Sequence, residues 1–257
     1  MDSRIKRVEQ IRTQLYRQIK NNVTRIEVNG KQTGQLNAMS IITVGGFSFG
    51  QPLKLTATCR YGDGKVLDID REVELGGDLH SKSVLIITSY LGSRYAKNKP
   101  LAMSASLAFE QNYGEVDGDS ASLAELCALL SAIAEVPLRQ DRAVTGTMNQ
   151  YGDAQAIGGV NEKIEGFYDV CQQVGFTGEQ RVIIPYDNIQ HLMLRQDVVE
   201  SVESRQFHIY AVETIDQALA LLSDSAEVDL IEQEHYPLGS FNDRVVKRIT
   251  SWAETHQ

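Results

Sequence analysis

The spacing of apolar residues is the feature that most limits what this chain can fold into. Apolar residues alternate with polar ones, or form short blocks, at residues 34–43, 53–61 and 65–73, as expected for β-strands. At residues 79–97 and 120–135 they recur every three or four positions, which is typical of helices that bury one face. A chain that forms strands first and then alternates helices with strands is predicted to have a mixed α and β architecture, with helices packed on a sheet.

Further strands and helices are predicted along the chain. Strands are predicted at 25–28, 101–109, 144–147, 155–157, 181–185 and 208–212, and helices at 163–174 and 214–222. Asn29-Gly30, after the first of these strands, is a hairpin-type turn signal. The glycine-rich sequence GGFSFG at residues 45–50 lacks the Gly-Lys-Ser/Thr ending of a phosphate-binding loop, so we interpret it as a loop between strands.

The two ends of the chain differ from its middle in charge. Residues 1–20 are predicted to form an amphipathic helix, and the first 25 residues hold seven Lys or Arg against two acidic residues. Such a helix could lie on a membrane or a nucleic acid, but packing on the domain or on a neighbouring module is the favoured interpretation. Residues 224–257 form an acidic extension with a possible helix at 243–253.

Composition and charge argue against several classes of protein. The net charge of −9 does not suit a general nucleic-acid binder, because phosphate contacts require clustered Lys and Arg. No apolar run approaches the roughly 20 residues of a membrane helix, and the N-terminus lacks the apolar core of a secretory signal. The three cysteines are widely spaced and are interpreted as buried thiols of a cytoplasmic protein. We expect no metal and no cofactor, since the sequence contains no His-Glu-x-x-His motif or clustered ligand set.

Two short motifs carry the chemistry that the sequence suggests. The sequence DGDSAS at residues 117–122 sets Ser120 at the start of a predicted helix, and AIGGVNEK at 156–163 sets Lys163 one turn into another. A serine hydroxyl is a weak nucleophile until a base takes its proton, and a lysine amine removed from water can be that base. The two motifs therefore suggest a Ser–Lys hydrolase.

Each of these residues also has an ordinary structural interpretation. Ser120 alone would most often be a helix N-cap, and Ser122 is a rival nucleophile one step further into the helix. Lys163 alone would most often be a solvated helix residue. Acting as a base requires burial, which lowers the pKa of a lysine from about 10.4 toward neutrality. The apolar neighbours Ile164 and Phe167 favour that burial.

Three motifs follow one another along the chain: Asp117 to Ser120, Thr145-Gly146, and Gly158-Gly159 followed by Glu162-Lys163. In their order and spacing they resemble the proteolytic domain of Lon proteases, most closely its B-type and Lon-like branch. The serine and the lysine stand 43 positions apart, which fits the usual spacing of that family. The resemblance extends over residues 23–222 and includes LGG at 75–77.

The resemblance implies a role for each motif residue. Ser120 would attack the scissile carbonyl, and Lys163 would act as general base and then as general acid. Thr145 matches the threonine that hydrogen-bonds and orients the lysine. Asp117 matches an acidic position that gates or shapes the site, although forming the turn is an equally good interpretation. Asp119 replaces a proline of the A-type enzymes, which leaves the rigidity of this loop and the oxyanion geometry open.

The resemblance also implies the α+β Lon proteolytic fold, with mixed sheets and packed helices, a homo-oligomeric hexameric ring, and unfolded polypeptides as substrates. Residues 23–223 would be the proteolytic domain, and residues 1–22 a linker or the stub of an ATPase-like module, since the sequence holds no Walker A lysine motif. We expect an ATPase or unfoldase module as a further partner, but no nucleic acid and no membrane.

Other functions remain open from the sequence. The chain could be a catalytically latent Lon-like scaffold, or it could bind nucleic acid through its basic helix. A histidine triad built on His191 or His208 has no matching motif, and His80 is interpreted as structural.

Overall fold

The computed structural model of the chain describes residues 2–69, 78–112, 118–224 and 236–255, with side chains for all of these except 2–8 and 78–81. The helices of this part are α1 (Asp2–Lys20), α2 (Asp78–Tyr95), α3 (Ser122–Ala134), α4 (Val160–Val174), α5 (Gln196–Glu203), α6 (Ile215–Ser223) and α7 (Phe241–Thr255). A 3-10 helix covers Tyr186–His191. Among the described residues, no helix combines the length and the apolar character that crossing a bilayer requires.

Most strands belong to one mixed sheet. The strands are β1 (Lys31–Gln32), β2 (Gln35–Val44), β3 (Phe47–Tyr61), β4 (Lys65–Asp68), β5 (Met103–Glu110), β6 (Leu138–Arg139), β7 (Arg142–Val144), β8 (Thr147–Met148), β9 (Ala154–Gln155), β10 (Arg181–Pro185) and β11 (His208–Val212). Seven of them form a sheet in the order β11-β10-β7-β2-β3-β5-β4, and β1–β6 and β8–β9 are short separate pairs. Both parallel and antiparallel neighbours occur in the large sheet, which confirms the predicted α+β fold.

Helices cover both faces of this sheet, and the neighbouring strands β7 and β10 contribute to two cores. Val144 of β7 and Ile183 of β10 lie in a core shared with α2, α3, α6 and α7. The preceding residues, Ala143 and Val182, lie in a second core shared with α1, α4 and α5. This follows from the strand backbone, in which successive side chains point to opposite faces. The sheet therefore separates α3 from α4.

The glycine-rich sequence at residues 45–50 forms a turn between strands only at 45–46, so the prediction of a loop is confirmed there and wrong at 47–50, which are strand. Gly45 and Gly46 form a two-residue hairpin turn with φ of 60° and 84°, and Phe47 pairs directly with Val44. Two consecutive positive φ angles match the twist of hairpin strands, and glycine adopts them without strain. The last glycine of the sequence serves a different purpose inside β3, described below.

Residues 25–28 are not the strand that their alternating pattern predicts, and no hairpin follows them. Side chains bind their carbonyl groups where a neighbouring strand would: Asn37 Nδ2 donates to Glu27 O at 2.8 Å, and Gln180 Nε2 donates to Val28 O at 3.3 Å. The next strand, β1, pairs with β6. The apolar side chains of the segment are nevertheless buried. The alternation of apolar and polar residues at 25–28 therefore indicates that one face is buried, and not that the segment pairs with another strand.

The two terminal helices pack on the domain. Tyr16 and Ile19, in the second half of α1, are buried in the core shared with α4. α7 lies in the C-terminal extension, where the sequence indicated a helix at 243–253, and its buried Val245 and Ile249 join the core of α3. The end of the predicted strand at 65–73 and the LGG sequence at 75–77 fall outside the described residues.

The backbones of β3 and α4 touch where two glycines meet. A Cβ atom on Gly166 would lie 2.4 Å from the carbonyl carbon of Gly50, and one on Gly50 would lie 1.9 Å from the carbonyl oxygen of Glu162. Both distances are far inside van der Waals contact, so only glycine allows the helix to lie this close to the strand. The contact determines how closely the first turn of α4 approaches the sheet.

Alanine substitution of helical glycines tests this contact. Gly166→Ala is expected to lower the free energy of unfolding by about 1–3 kcal/mol, because the added methyl group has to push α4 away from β3. Gly92 of α2 has no atom within 4 Å of the position its Cβ would take. Gly92→Ala should therefore raise the stability by up to about 1 kcal/mol through helix propensity. Urea denaturation measures both values, and equal effects of the two substitutions would contradict the contact.

Candidate active site

Two helices on opposite faces of the sheet bring a serine and a lysine together. Ser120 lies in the turn before α3, and Lys163 lies in the first turn of α4. Thr145 directly follows the last residue of β7, a central strand of the sheet. The side chains from the two helices meet beyond the end of this strand. The site therefore depends on both cores at once.

Main-chain hydrogen bonds fix the position of Ser120. Its carbonyl oxygen accepts from the Gly146 N–H at 2.8 Å and from Thr145 Oγ1 at 3.1 Å. The Leu123 N–H donates back to the Gly146 carbonyl at 3.1 Å. α3 begins two residues after Ser120, and its N-cap has no side-chain hydrogen bond. Ser120 is therefore not a helix cap, and its hydroxyl has another partner.

The hydroxyl of Ser120 contacts the amine of Lys163. Lys163 Nζ lies 2.7 Å from Ser120 Oγ and 3.1 Å from Thr145 Oγ1. The Thr145 hydroxyl can accept from the lysine while it donates to the Ser120 carbonyl, so one side chain holds both partners. Lys163 is only 3% exposed, and Ser120 is half-buried. The structure thus brings together three of the four residues that the motifs singled out.

A glycine in the left-handed conformation starts α4 where its lysine can reach the serine. Gly159 is the N-cap of α4 with φ of 65°. A Cβ atom at this position would lie 1.9 Å from Cδ1 of Ile41. Gly158 has open space around it. Of the glycine pair in the second motif, Gly159 is the one that the structure requires.

Burial makes the amine of Lys163 a weaker base than an ordinary lysine. Loss of hydration disfavours the ammonium form and lowers the pKa from 10.5 to about 8. The negative charge of Asp119 acts in the opposite direction, because it stabilises the ammonium and raises the pKa. A sizeable fraction of the molecules therefore carries a neutral amine in slightly alkaline solution.

The part played by Asp119 was not predicted from the sequence. Its Oδ1 accepts from Thr147 Oγ1 at 3.0 Å, and its carbonyl oxygen accepts from the Ser122 N–H at 3.0 Å. These bonds brace the loop on both sides of Ser120, so a residue that replaces proline still holds the loop in place. Its position next to the nucleophile was the available signal, since a charge there must act on the amine.

Two rival residues have structural partners in the described part of the chain. Ser122 is buried, and its Oγ accepts from the Met148 N–H at 3.0 Å. His208 Nε2 lies 2.9 Å from the carbonyl oxygen of Gly178. These contacts account for both side chains, and they favour Ser120 over Ser122 as the nucleophile.

Some expected features of the site lie outside the described residues or are altered. Asp117 and the side chain of His80 are not among the described groups. An oxyanion site at the start of α3 would be partly occupied, because the N–H groups of Ser122 and Leu123 already donate to backbone carbonyls. The positive end of the helix dipole still lies beside Ser120. Within the described residues, no group of three His, Cys, Asp or Glu could hold a metal ion.

This arrangement is suited to nucleophilic chemistry. A neutral amine at 2.7 Å from a hydroxyl oxygen is within the distance that general-base catalysis requires. Once deprotonated, the serine oxygen can attack an electrophilic carbon and form a covalent intermediate.

The chain is similar to known proteins over most of its length. Residues 16–223 match the family model of the Lon protease (S16) C-terminal proteolytic domain. A putative Lon protease homolog of Escherichia coli (strain K12) is 49% identical over 199 residues, which are 77% of this chain and 34% of that protein. A putative Lon protease homolog of Haemophilus influenzae is 45% identical over 249 residues, 96% of this chain and 41% of that protein. An archaeal Lon protease of Thermococcus kodakarensis is 32% identical over 212 residues, 79% of this chain and 30% of that protein. The chain thus spans less than half the length of each relative.

The lowered pKa of Lys163 predicts how stability depends on pH. Between pH 8 and 10.5 the unfolded chain holds a proton on this lysine that the folded chain has released, so the free energy of unfolding increases with pH. Below this window both states are protonated and the slope vanishes. Relative to Lys163→Met, the wild-type protein should gain about 3 kcal/mol across the window. Urea denaturation at both ends measures the gain, and a constant difference between the two proteins would mean that the amine titrates normally.

The charge of Asp119 can be tested separately from its hydrogen bond. Asp119→Asn keeps an oxygen that can accept from Thr147 but removes the negative charge, so the pKa of Lys163 should fall further below 8. Thr147→Val removes the hydrogen bond, keeps the charge, and should leave the pKa where it is. NMR titration of ¹³C-labelled lysine side chains follows both variants. A pKa that stays the same or rises in Asp119→Asn would refute this electrostatic account.

Proposed function

The chain belongs to the family of the Lon protease (S16) C-terminal proteolytic domain, and we propose that it hydrolyses peptide bonds with a Ser120–Lys163 dyad. The observation that carries the proposal is the 2.7 Å contact between Ser120 Oγ and the Nζ of a buried lysine with a pKa of about 8. A serine hydroxyl beside an amine that is partly neutral meets the chemical requirement of a Ser–Lys peptidase.

The dyad would act in two stages. The neutral amine of Lys163 accepts the proton of Ser120 while Oγ bonds to the scissile carbonyl carbon, and the carbonyl oxygen becomes an oxyanion. The ammonium then gives its proton to the leaving amine as the C–N bond breaks, which leaves an acyl ester on Ser120. Water, deprotonated by the same amine, attacks the ester and restores the serine.

Thr145 would keep the lysine directed at the serine throughout this cycle. It contacts the Lys163 amine and the Ser120 carbonyl, each at 3.1 Å. A small displacement of a catalytic base costs a large part of the rate, so holding both partners with one side chain supports turnover. We include Asp117, on the loop before Ser120, as a second supporting residue.

We further propose that the chain works within a larger assembly in the cytoplasm. It spans only 34% and 41% of its two bacterial relatives, which are therefore much longer. The proposed assembly is a hexameric ring that takes unfolded polypeptides as substrates and involves neither nucleic acid nor membrane. Residues 1–22 would connect an ATPase or unfoldase module to the proteolytic domain at 23–223, and 224–257 would be a C-terminal extension.

A catalytically latent scaffold is the alternative function. The occupied N–H groups of Ser122 and Leu123 favour it, since an oxyanion needs free donors. The buried amine of Lys163 favours the peptidase. Keeping this amine out of water costs about 3 kcal/mol at neutral pH, and a scaffold gains nothing from that cost.

Substitution of the two neighbouring serines tests the proposed dyad. Ser120→Ala should slow hydrolysis of a fluorogenic peptide by at least about 10³-fold, because the nucleophile is lost. Ser122→Ala, the matched control, removes only the bond to the Met148 N–H and should stay within about tenfold of the wild type. Labelling by a fluorophosphonate probe should follow the same pattern. An unchanged rate in Ser120→Ala would refute the dyad, and a folded wild type without hydrolysis or labelling would favour the scaffold.

A further inference from the structure

The N-terminal helix is tied to the backbone of β3 by one buried hydrogen bond. The hydroxyl of Tyr16 in α1 donates to the carbonyl oxygen of Gly50 at 2.9 Å. Tyr16 is 5% exposed, and burial raises the pKa of its hydroxyl, which therefore keeps its proton. The bond joins a segment near the start of the chain to the first part of the long strand β3.

The same carbonyl group lies against the helix that carries the lysine. A Cβ atom on Gly166 would lie 2.4 Å from both the carbon and the oxygen of the Gly50 carbonyl. On the other side of the contact, a Cβ on Gly50 would lie 2.9 Å from the Cα of Lys163. Backbone meets backbone at this point, so there is no flexible side chain to absorb a displacement.

Tyr16 and Lys163 are thus connected through three contacts in a row, of which the second joins backbone to backbone. Tyr16 holds the Gly50 carbonyl, Gly50 touches the first turn of α4, and that turn places the amine 2.7 Å from Ser120 Oγ. Misplacing a catalytic group by 1 Å can cost on the order of 100-fold in rate. A shift of α1 by a few tenths of an ångström would therefore change the distance between Lys163 Nζ and Ser120 Oγ enough to affect the rate.

We propose that Tyr16 is a positioning residue that couples the placement of α1 to the Ser120–Lys163 contact through the Gly50 carbonyl. The proposal rests on the proposed peptidase function and adds a route of regulation to it. Movement of α1 along the domain, for example by a module attached to it, would change the burial and the reach of the amine. The position of α1 on the domain would then control the activity of the site.

Two tyrosine variants separate this coupling from ordinary stabilisation. Tyr16→Phe keeps the ring in the core and removes only the hydroxyl. Tyr168→Phe is the control, since Tyr168 lies in the same core with a similar exposed fraction of its side chain. It donates its hydroxyl to the Asp197 carbonyl at 3.2 Å, in a hydrogen bond that is only partly buried. Tyr168 also lies on α4, so an effect that comes merely from loosening this helix would appear in both variants.

The expected results differ in two readouts. Tyr16→Phe should lower kcat for a fluorogenic peptide about tenfold with little change in KM. It should also move the NMR titration midpoint of Lys163 upward from about 8 toward 10.5, because water gains access to the amine. Tyr168→Phe should leave both quantities near their wild-type values, although each variant loses a hydrogen bond and should have a lower thermal midpoint.

The titration decides the proposal even without turnover. An unchanged Lys163 midpoint in folded Tyr16→Phe, or equal shifts in the two variants, would overturn the coupling. If the midpoint shifts only in Tyr16→Phe while no protein in the series hydrolyses peptides, the coupling stands and the proposed peptidase function fails.

Discussion

The contact between a buried amine and two hydroxyl groups is the interaction on which the rest of this structure depends. Ser120 and Thr145 hold the amine of Lys163 in a buried place, which excludes the water that would otherwise solvate its charge. An ammonium ion there is unfavourable, and the fold must supply about 3 kcal/mol from other interactions to keep it buried at neutral pH. Much of the surrounding architecture can be understood as what holds this amine in place. α3 and α4 pack on opposite faces of one sheet, and their residues meet past the end of β7. Glycines at 50, 159 and 166 let the lysine helix lie closer to the sheet than any side chain would allow.

The side chains that meet in the candidate site could be predicted from the sequence better than the local geometry around them. Ser120 and Lys163 could be singled out because each lies in a short motif whose residue types have a chemical purpose, and Thr145 because its motif resembles that of the Lon family. The strands and helices that carry them also follow from apolar spacing, since burial on one or two faces leaves a period in the sequence. The role of Asp119 and the contact between Gly50 and Gly166 depend on which segments meet in space. A local sequence pattern does not reveal such tertiary contacts.

The wrong loop prediction at 47–50 and the wrong strand prediction at 25–28 have the same cause. The glycines at 45–50 were assigned one purpose, although Gly45 and Gly46 form a turn and Gly50 makes room for a helix. Residues 25–28 alternate like a strand, but long-range side chains, Asn37 and Gln180, replace the neighbouring strand. In both places a tertiary contact decides between local structures that the sequence leaves almost equally favourable.

The pH dependence of the first chemical step tests the central claim most directly. Single-turnover acylation of Ser120 by an activated ester can be followed by mass spectrometry of the intact chain. If a neutral Lys163 takes the serine proton, the acylation rate should rise with pH through a midpoint near 8 and then level off. A rate that keeps rising to an ordinary lysine midpoint of 10.5, or an acyl group found on a residue other than Ser120, would contradict the account.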